Sequence, residues 1–292
     1  MTTPTYRTGL GASDADHIWL LGHDLAEELL GQITFGELAY WMVAKRRPTP
    51  GQLVLFEAVL VALADHGFTP TAITARLTHL SAPDSLQGAI AAGLLGGGSR
   101  FLGVTEDSAN FLHIAVRELD PKPADDGGWD EVAHRLVSAA RDAGRLVPGL
   151  GHPVHKQVDP RTPKLFELAR VHGVLGPHLE LFAAVGRVVP EVIGRHLPLN
   201  GAGACGAVLA DIDFPIGVAR GAAILARCAG LLGQLAEAID DPVAIDMYMH
   251  IDRNTDYRPI NASCQAPHVT PVCNVRCLAR GVTRCPGTSA GR

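Results

Sequence analysis

The 292-residue chain predicts an all-α fold, on three observations. Helix start signals recur along it, apolar residues between them repeat at three- and four-residue spacing, and no segment alternates apolar and polar residues with β-branched enrichment. Thr34-x-x-Glu37 reads as a capping box ahead of Leu38, Ala39, Trp41 and Met42. Thr49-Pro50 sets a cap and a first-turn proline before Leu53, Leu55, Phe56, Val59, Leu60 and Leu63, with Gly67 as the stop. Thr69-Pro70 repeats the device for a short helix through Arg76. Further helices are expected over 85–95, 105–118, 129–143, 163–171, 177–187, 204–211, 216–239 and 242–252.

Composition narrows the function classes. A net charge of −5 and 5% aromatic residues give neither the basic footprint nor the stacking surface of a nucleic-acid binder. Apolar stretches are interrupted by Glu57, Asp65 or clustered glycines, short of the roughly 18 uncharged residues that a membrane-spanning helix needs. Met1–Tyr6 lacks a basic region leading into an apolar one, so no secretory signal is expected and a cytoplasmic location follows. Cys205 and Cys228 sit in Ala/Gly-rich helical stretches and read as buried, inert thiols. Cys264, Cys273, Cys277 and Cys285 crowd a stretch that loses helical periodicity after Pro259. Residues 260–292 are therefore expected to be a disordered tail. Cys273-x3-Cys277 with His268 and Cys285 has loose spacing and no flanking hairpin pattern, and no metal site is expected.

The most informative segment runs Pro148-Gly149-Leu150-Gly151-His152-Pro153-Val154-His155-Lys156-Gln157-Val158-Asp159-Pro160-Arg161. Its two glycines allow backbone to approach a ligand closely. An imidazole beside fixed cations suits an anionic, oxygen-rich substrate, with Arg161 offering two-point contact to a carboxylate. The segment resembles the Gly-[Phe/Tyr]-Gly-His-x-Val-[Tyr/His]-Lys-x-x-Asp-Pro-Arg signature of the citrate synthase family. It looks closest to the short citryl-CoA lyase branch.

The likeness extends from about Gly22 to Tyr257. Ala64-Asp65-His66-Gly67 resembles the segment whose histidine contacts the keto acid. Arg76 falls where the family keeps an arginine and reads as architectural. Ser85-Leu86-Gln87-Gly88-Ala89 matches the helix leading into the cleft, and Ala226-Arg227-Cys228-Ala229-Gly230 a late helix whose arginine borders the acyl-CoA site. The resemblance implies a large helical domain (1–104 and 203–259), a smaller inserted one (105–202), a cleft between them and a homodimer.

For the site, the resemblance implies His152 and His66 as catalytic residues, and Arg161, Lys156 and Arg227 as substrate-binding ones. No bound cofactor is implied; a coenzyme A thioester is the substrate, with a dicarboxylate or tricarboxylate partner. In cleavage, His152 is expected to take the tertiary hydroxyl proton of citryl-CoA. Two family residues are missing. Leu102 stands where a catalytic histidine belongs, in Ser99-Arg100-Phe101-Leu102-Gly103. Ala202 stands where the catalytic aspartate belongs, in Leu199-Asn200-Gly201-Ala202-Gly203. Claisen-type cleavage tolerates these losses better than synthesis does. The alternative is a non-catalytic homologue that binds an acyl-CoA or dicarboxylate.

Overall fold

The computed structural model describes residues 6–258, and eleven α-helices account for most of them. Residues up to Tyr248 form one compact unit, and those from Met249 belong to a second. The expected tail over 260–292 and its cysteines lie outside the described residues.

Helix starts follow the cap chemistry. Thr34 accepts from the Glu37 amide at 3.1 Å and begins α1 (Phe35–Ala44). The reciprocal half of that box is not made, because Thr34 donates its hydroxyl to Glu57 and Glu37 faces Arg47. Thr49 and Gln52 do make both halves, opening α2 (Pro50–Ala64). Thr69 caps α3 (Pro70–Ser81), which runs past Arg76 by more than a turn because no breaker follows. The chain continues as α4 (Leu86–Leu95), α5 (Gly103–Arg117), α6 (Asp126–Asp142), α7 (Arg161–Val171), α8 (Pro177–Ile193), α9 (Gly201–Asp211), α10 (Ala219–Asp240) and α11 (Ala244–Arg253).

Two features depart from expectation. A small antiparallel sheet precedes the helices: β1 (Gly11–Ser13), β2 (Ile18–Leu20) and β3 (His23–Asp24), paired in that order. Strands of two and three residues are too short to show a period of two, so sequence pattern could not reveal them. α10 with its preceding turn, Ile216–Asp240, is long and apolar enough by length and composition to cross a membrane, contrary to the expectation that no stretch is. Its arginines, Arg220 and Arg227, and its Glu237 point instead at protein groups, and its buried face carries Ala222, Ala223, Ala226 and Leu231.

The core packs α5 on α9, α6 on α8, and α10 on α2. Phe56 stacks on Phe214 at 5.4 Å between ring centroids, with Tyr40 edge-on to Phe56 and its hydroxyl bonded to the Ile212 carbonyl at 2.6 Å. Two close backbone approaches place the functional segments. Gly230 of α10 lies directly against the Ala64 carbonyl, where a Cβ would collide, and this brings the segment after α2 up to α10. Gly149 (φ +86°) meets Gly203 of α9 beneath the Phe182 ring, 2.8 Å from where a Cβ would sit. The Gly149 position thus serves backbone-to-backbone packing inside the protein rather than approach to a ligand, correcting the sequence expectation there.

Candidate active site

A cavity of about 630 Å³ opens where four segments meet. These are the 63–71 turn between α2 and α3, the 100–105 turn into α5, the 150–154 loop, and the facing residues of α9 and α10. His66, His152, Arg100, Arg161, Arg227, Asn200, Leu102 and Ala202 all contribute to its wall. Leu102 and Ala202, the positions that the resemblance sets where a family histidine and aspartate belong, both line the cavity. Among the described residues that line it there is no aspartate or glutamate.

The 149–152 loop is laced to the start of α9. Asn200 accepts from the Gly203 amide at 2.8 Å and donates to the Gly151 carbonyl at 2.9 Å, while the Asn200 amide bonds Gly149 at 2.8 Å. His152 is half-buried, and its Nδ1 accepts two backbone N–H groups, Val154 at 3.1 Å and His155 at 3.0 Å. A neutral imidazole with Nδ1 as acceptor carries its proton on Nε2. Burial lowers the His152 pKa; Asp159 opposes this, and His155, Arg161 and His66 reinforce it. At neutral pH the ring is therefore an uncharged N–H donor. This corrects its expected role: taking a hydroxyl proton on Nε2 would require breaking both amide bonds or forming an imidazolate.

His66 sits 5.3 Å from His152 between ring centroids, and His155 lies 4.5 Å from His152 and 5.5 Å from His66. One ring nitrogen from each comes within 4.8 Å of the others. The spacing would admit a metal ion, but with Nδ1 of His152 committed to two amides, His152 could lend Nε2 only as an imidazolate, so the donor set fits a metal poorly. His155 was not singled out in the sequence; its place three residues after His152 was the available signal.

Arg161 is positioned differently from its expected part as a free carboxylate clamp. Its Nε and Nη2 grip the fully buried Asp159 at 3.0 and 2.7 Å, and Nη1 donates to the Ala62 carbonyl at 3.1 Å. The guanidinium fork is thus already occupied. Burial raises the Asp159 pKa, but the Arg161 bonds and the Gly201 amide (2.7 Å) outweigh it and hold the carboxyl at about 2. Removing one partner of such a buried pair costs roughly 3–5 kcal/mol. Asp159→Ala should lower the unfolding free energy by about that amount, measured by the denaturant midpoint. The acid limb has a definite sign. With a folded pKa of about 2 against 3.8, the ionised carboxylate contributes about 2 kcal/mol above pH 4, and this is lost as pH falls through 2. An Asp159→Ala protein with unchanged acid stability would refute the assignment.

Lys156 is exposed, donates to the His152 carbonyl at 3.1 Å and lies outside the cavity wall. Arg227 is the reverse case. It is 8% exposed, its Nη1 stands 3.8 Å from Asp65, and its Nε and Nη1 have no hydrogen-bond partner. Buried donors left unpaired cost about 1–3 kcal/mol each, and Arg227 carries two of them while its side chain lines the cavity. The carboxylates nearest in sequence to the two missing residues are engaged elsewhere or face solvent: Glu106 pairs Arg220 at 2.8 Å, Asp211 caps α8, Asp213 pairs Arg46 at 3.0 Å, and Asp107 is exposed. Of the two helical cysteines, Cys205 is fully buried, with burial pushing its thiol up to about 12, whereas Cys228 is only partly buried.

A cavity lined by histidines and arginines thus sits on a helical scaffold of the citrate synthase class. The chain belongs to the citrate synthase family: the family model "Citrate synthase, C-terminal domain" matches residues 20–245. The citryl-CoA lyase of Hydrogenobacter thermophilus superposes with a TM-score of 0.77 at 26% identity, covering 92% of this chain and 98% of that one. The ATP citrate lyase of Methanothrix soehngenii, in complex with citrate and coenzyme A, gives 0.74 at 22% identity, covering 91% of this chain and 44% of that one. A probable ATP-citrate synthase of Dictyostelium discoideum is 25% identical over 235 residues, 75% of this chain. This chain spans 36% of that relative's length.

Proposed function

We propose that this protein binds citryl-CoA-type thioesters and cleaves their central carbon–carbon bond to release acetyl-CoA and a 2-oxo acid. The observation that carries the reading is Arg227, a buried guanidinium whose side chain lines the wall shared with His66 and His152 and makes no hydrogen bond through Nε or Nη1 among the described residues. Arg227 receives a substrate carboxylate. His66 accepts the tertiary hydroxyl proton, the C–O bond becomes a carbonyl, and the central bond breaks. Its electron pair passes into the thioester enolate. The same His66 imidazolium returns the proton to the enolate carbon, giving the acetyl methyl group. His152 donates Nε2–H to the oxygen that changes from hydroxyl to carbonyl. One shuttling imidazole thus balances the reaction without a carboxylate. Exposed Lys156, beside the loop, would meet a coenzyme A phosphate.

A second reading, binding without turnover, is favoured by the absence of any carboxylate among the cavity-lining residues. Mixing the protein with citryl-CoA separates the two. Equal release of acetyl-CoA and oxaloacetate supports cleavage, whereas saturable binding with no release supports the binding protein.

The active form is proposed to be a homodimer built on the uncovered side of α10. There Leu232 and Ile239 are 50% and 65% exposed, and only 33% of the helix's most apolar stretch is buried. Obligate interfaces of this kind bury roughly 2,000 Å² or more. Light scattering at micromolar concentration should return twice the chain mass, and Leu232→Glu should halve it. A monomeric parent protein would sink the proposal.

A further inference from the structure

We propose that Gln234 tunes the affinity of the cavity by holding the Asp65 carboxylate away from the Arg227 guanidinium. The inference rests on the reading of Arg227 as a carboxylate receiver. Gln234 follows Arg227 by seven residues on α10, about two turns, so both side chains leave the same face. Each is 8% exposed. Asp65 stands just past the end of α2 with its side chain 42% exposed, room enough for a free carboxylate to swing.

It is not free. Its Oδ1 accepts from Gln234 Nε2 at 3.0 Å and its Oδ2 accepts from the Gly67 amide at 2.8 Å. Held there, Asp65 stops 3.8 Å short of Arg227 Nη1, beyond hydrogen-bond reach. The Gln234 amide cannot turn over, because its Oε1 accepts from Arg76 Nε at 2.8 Å. Arg76 is 1% exposed and held by packing and by its Nε bond to Gln234, with its Nη2 at ion-pair distance (3.0 Å) from Glu237 without a hydrogen bond and its guanidinium 5.0 Å from the centroid of the Phe68 ring on the cavity wall. Arg76 therefore orients Gln234, Gln234 holds Asp65, and Arg227 keeps two donors unspent.

Without the Gln234 amide, Asp65 would close on Arg227 in a charge-assisted pair, and an incoming carboxylate would have to displace it. Gln234 and Arg76 are thus positioning residues that act through Asp65. The feature is not a simple packing contact, since the amide could be replaced by a thioether of similar size without opening a void.

The test is calorimetric titration of citrate into the full chain and three variants: Gln234→Met, Asp65→Asn and the double variant. Gln234→Met should weaken citrate by about tenfold, the size of one new competing ion pair. Asp65→Asn should bind at least as tightly as the parent, because the competing charge is gone. In the Asp65→Asn background, Gln234→Met should change the dissociation constant less than twofold. Equal weakening in both backgrounds, which a merely structural role predicts, would overturn the inference, as would unchanged affinity in Gln234→Met alone. A parent protein that binds no citrate would overturn the reading of the cavity itself and the inference with it.

Discussion

Replacing His152 by asparagine should lower the cleavage rate by about 10²–10³, the cost of removing one preorganised donor to a developing or departing oxygen charge. Asparagine is the sharper choice over alanine. Its side-chain oxygen can still accept amide N–H groups two and three residues ahead, as Nδ1 now does from Val154 and His155, so the loop is kept. What it cannot reproduce is the Nε2–H donor farther out on the ring. His152→Ala removes both and should show the same kinetic loss with a looser loop. The two assignments for His152 also part in their pH behaviour. As a general base, it would make the rate fall below its pKa; as an Nε2–H donor, it serves through ring protonation as well, because the imidazolium keeps that N–H. A rate that falls in His66→Ala but holds in His152→Asn would remove His152 from the reaction.

Much of this site was legible in the sequence because its parts are local. The Gly-Leu-Gly-His run predicts a loop histidine, and the Thr34-x-x-Glu37, Thr49-Pro50 and Thr69-Pro70 signals predict helix starts that the structure has at the same residues. The resemblance sets Leu102 and Ala202 where a catalytic histidine and aspartate belong, and both side chains line the cavity. What the sequence could not supply was which partner claims each polar atom, whether that partner is near or far along the chain. Arg161 reads as a free clamp until Asp159, two residues away, and Ala62, about a hundred residues away, are seen to occupy its fork. His152 reads as a base until two backbone amides claim its inner nitrogen. Arg227 reads as a residue bordering a site, and only the three-dimensional neighbourhood reveals that its donors are unpaired. In each case residue type was readable, while protonation or availability depended on groups that only folding brings together.

That no carboxylate stands among the described cavity-lining residues leads to the second large effect. Abstracting a methyl proton from acetyl-CoA needs a base near the thioester, and the parent protein should therefore exchange deuterium into that methyl group at no more than a background rate. Ala202→Asp should raise the exchange by about 10²-fold, the lower range for a positioned general base. The position is suited to a carboxylate. Ala202 is the second residue of α9, after the Asn200 cap, where free amides and the helix dipole favour negative charge. Partial burial would push the new carboxyl's pKa up, but that helix start and Arg227 on the same wall act the other way. The carboxylate should accordingly be ionised at neutral pH, and the gain should be visible there rather than only in alkali. The thioester must also reach it, so acetyl-CoA affinity is measured in parallel. Fast exchange by the parent protein would mean that an imidazole, with His66 and His155 the candidates within ring contact, already acts as the carbon base. A variant that binds acetyl-CoA as the parent does yet gains no exchange would show that Ala202 does not stand over the methyl group.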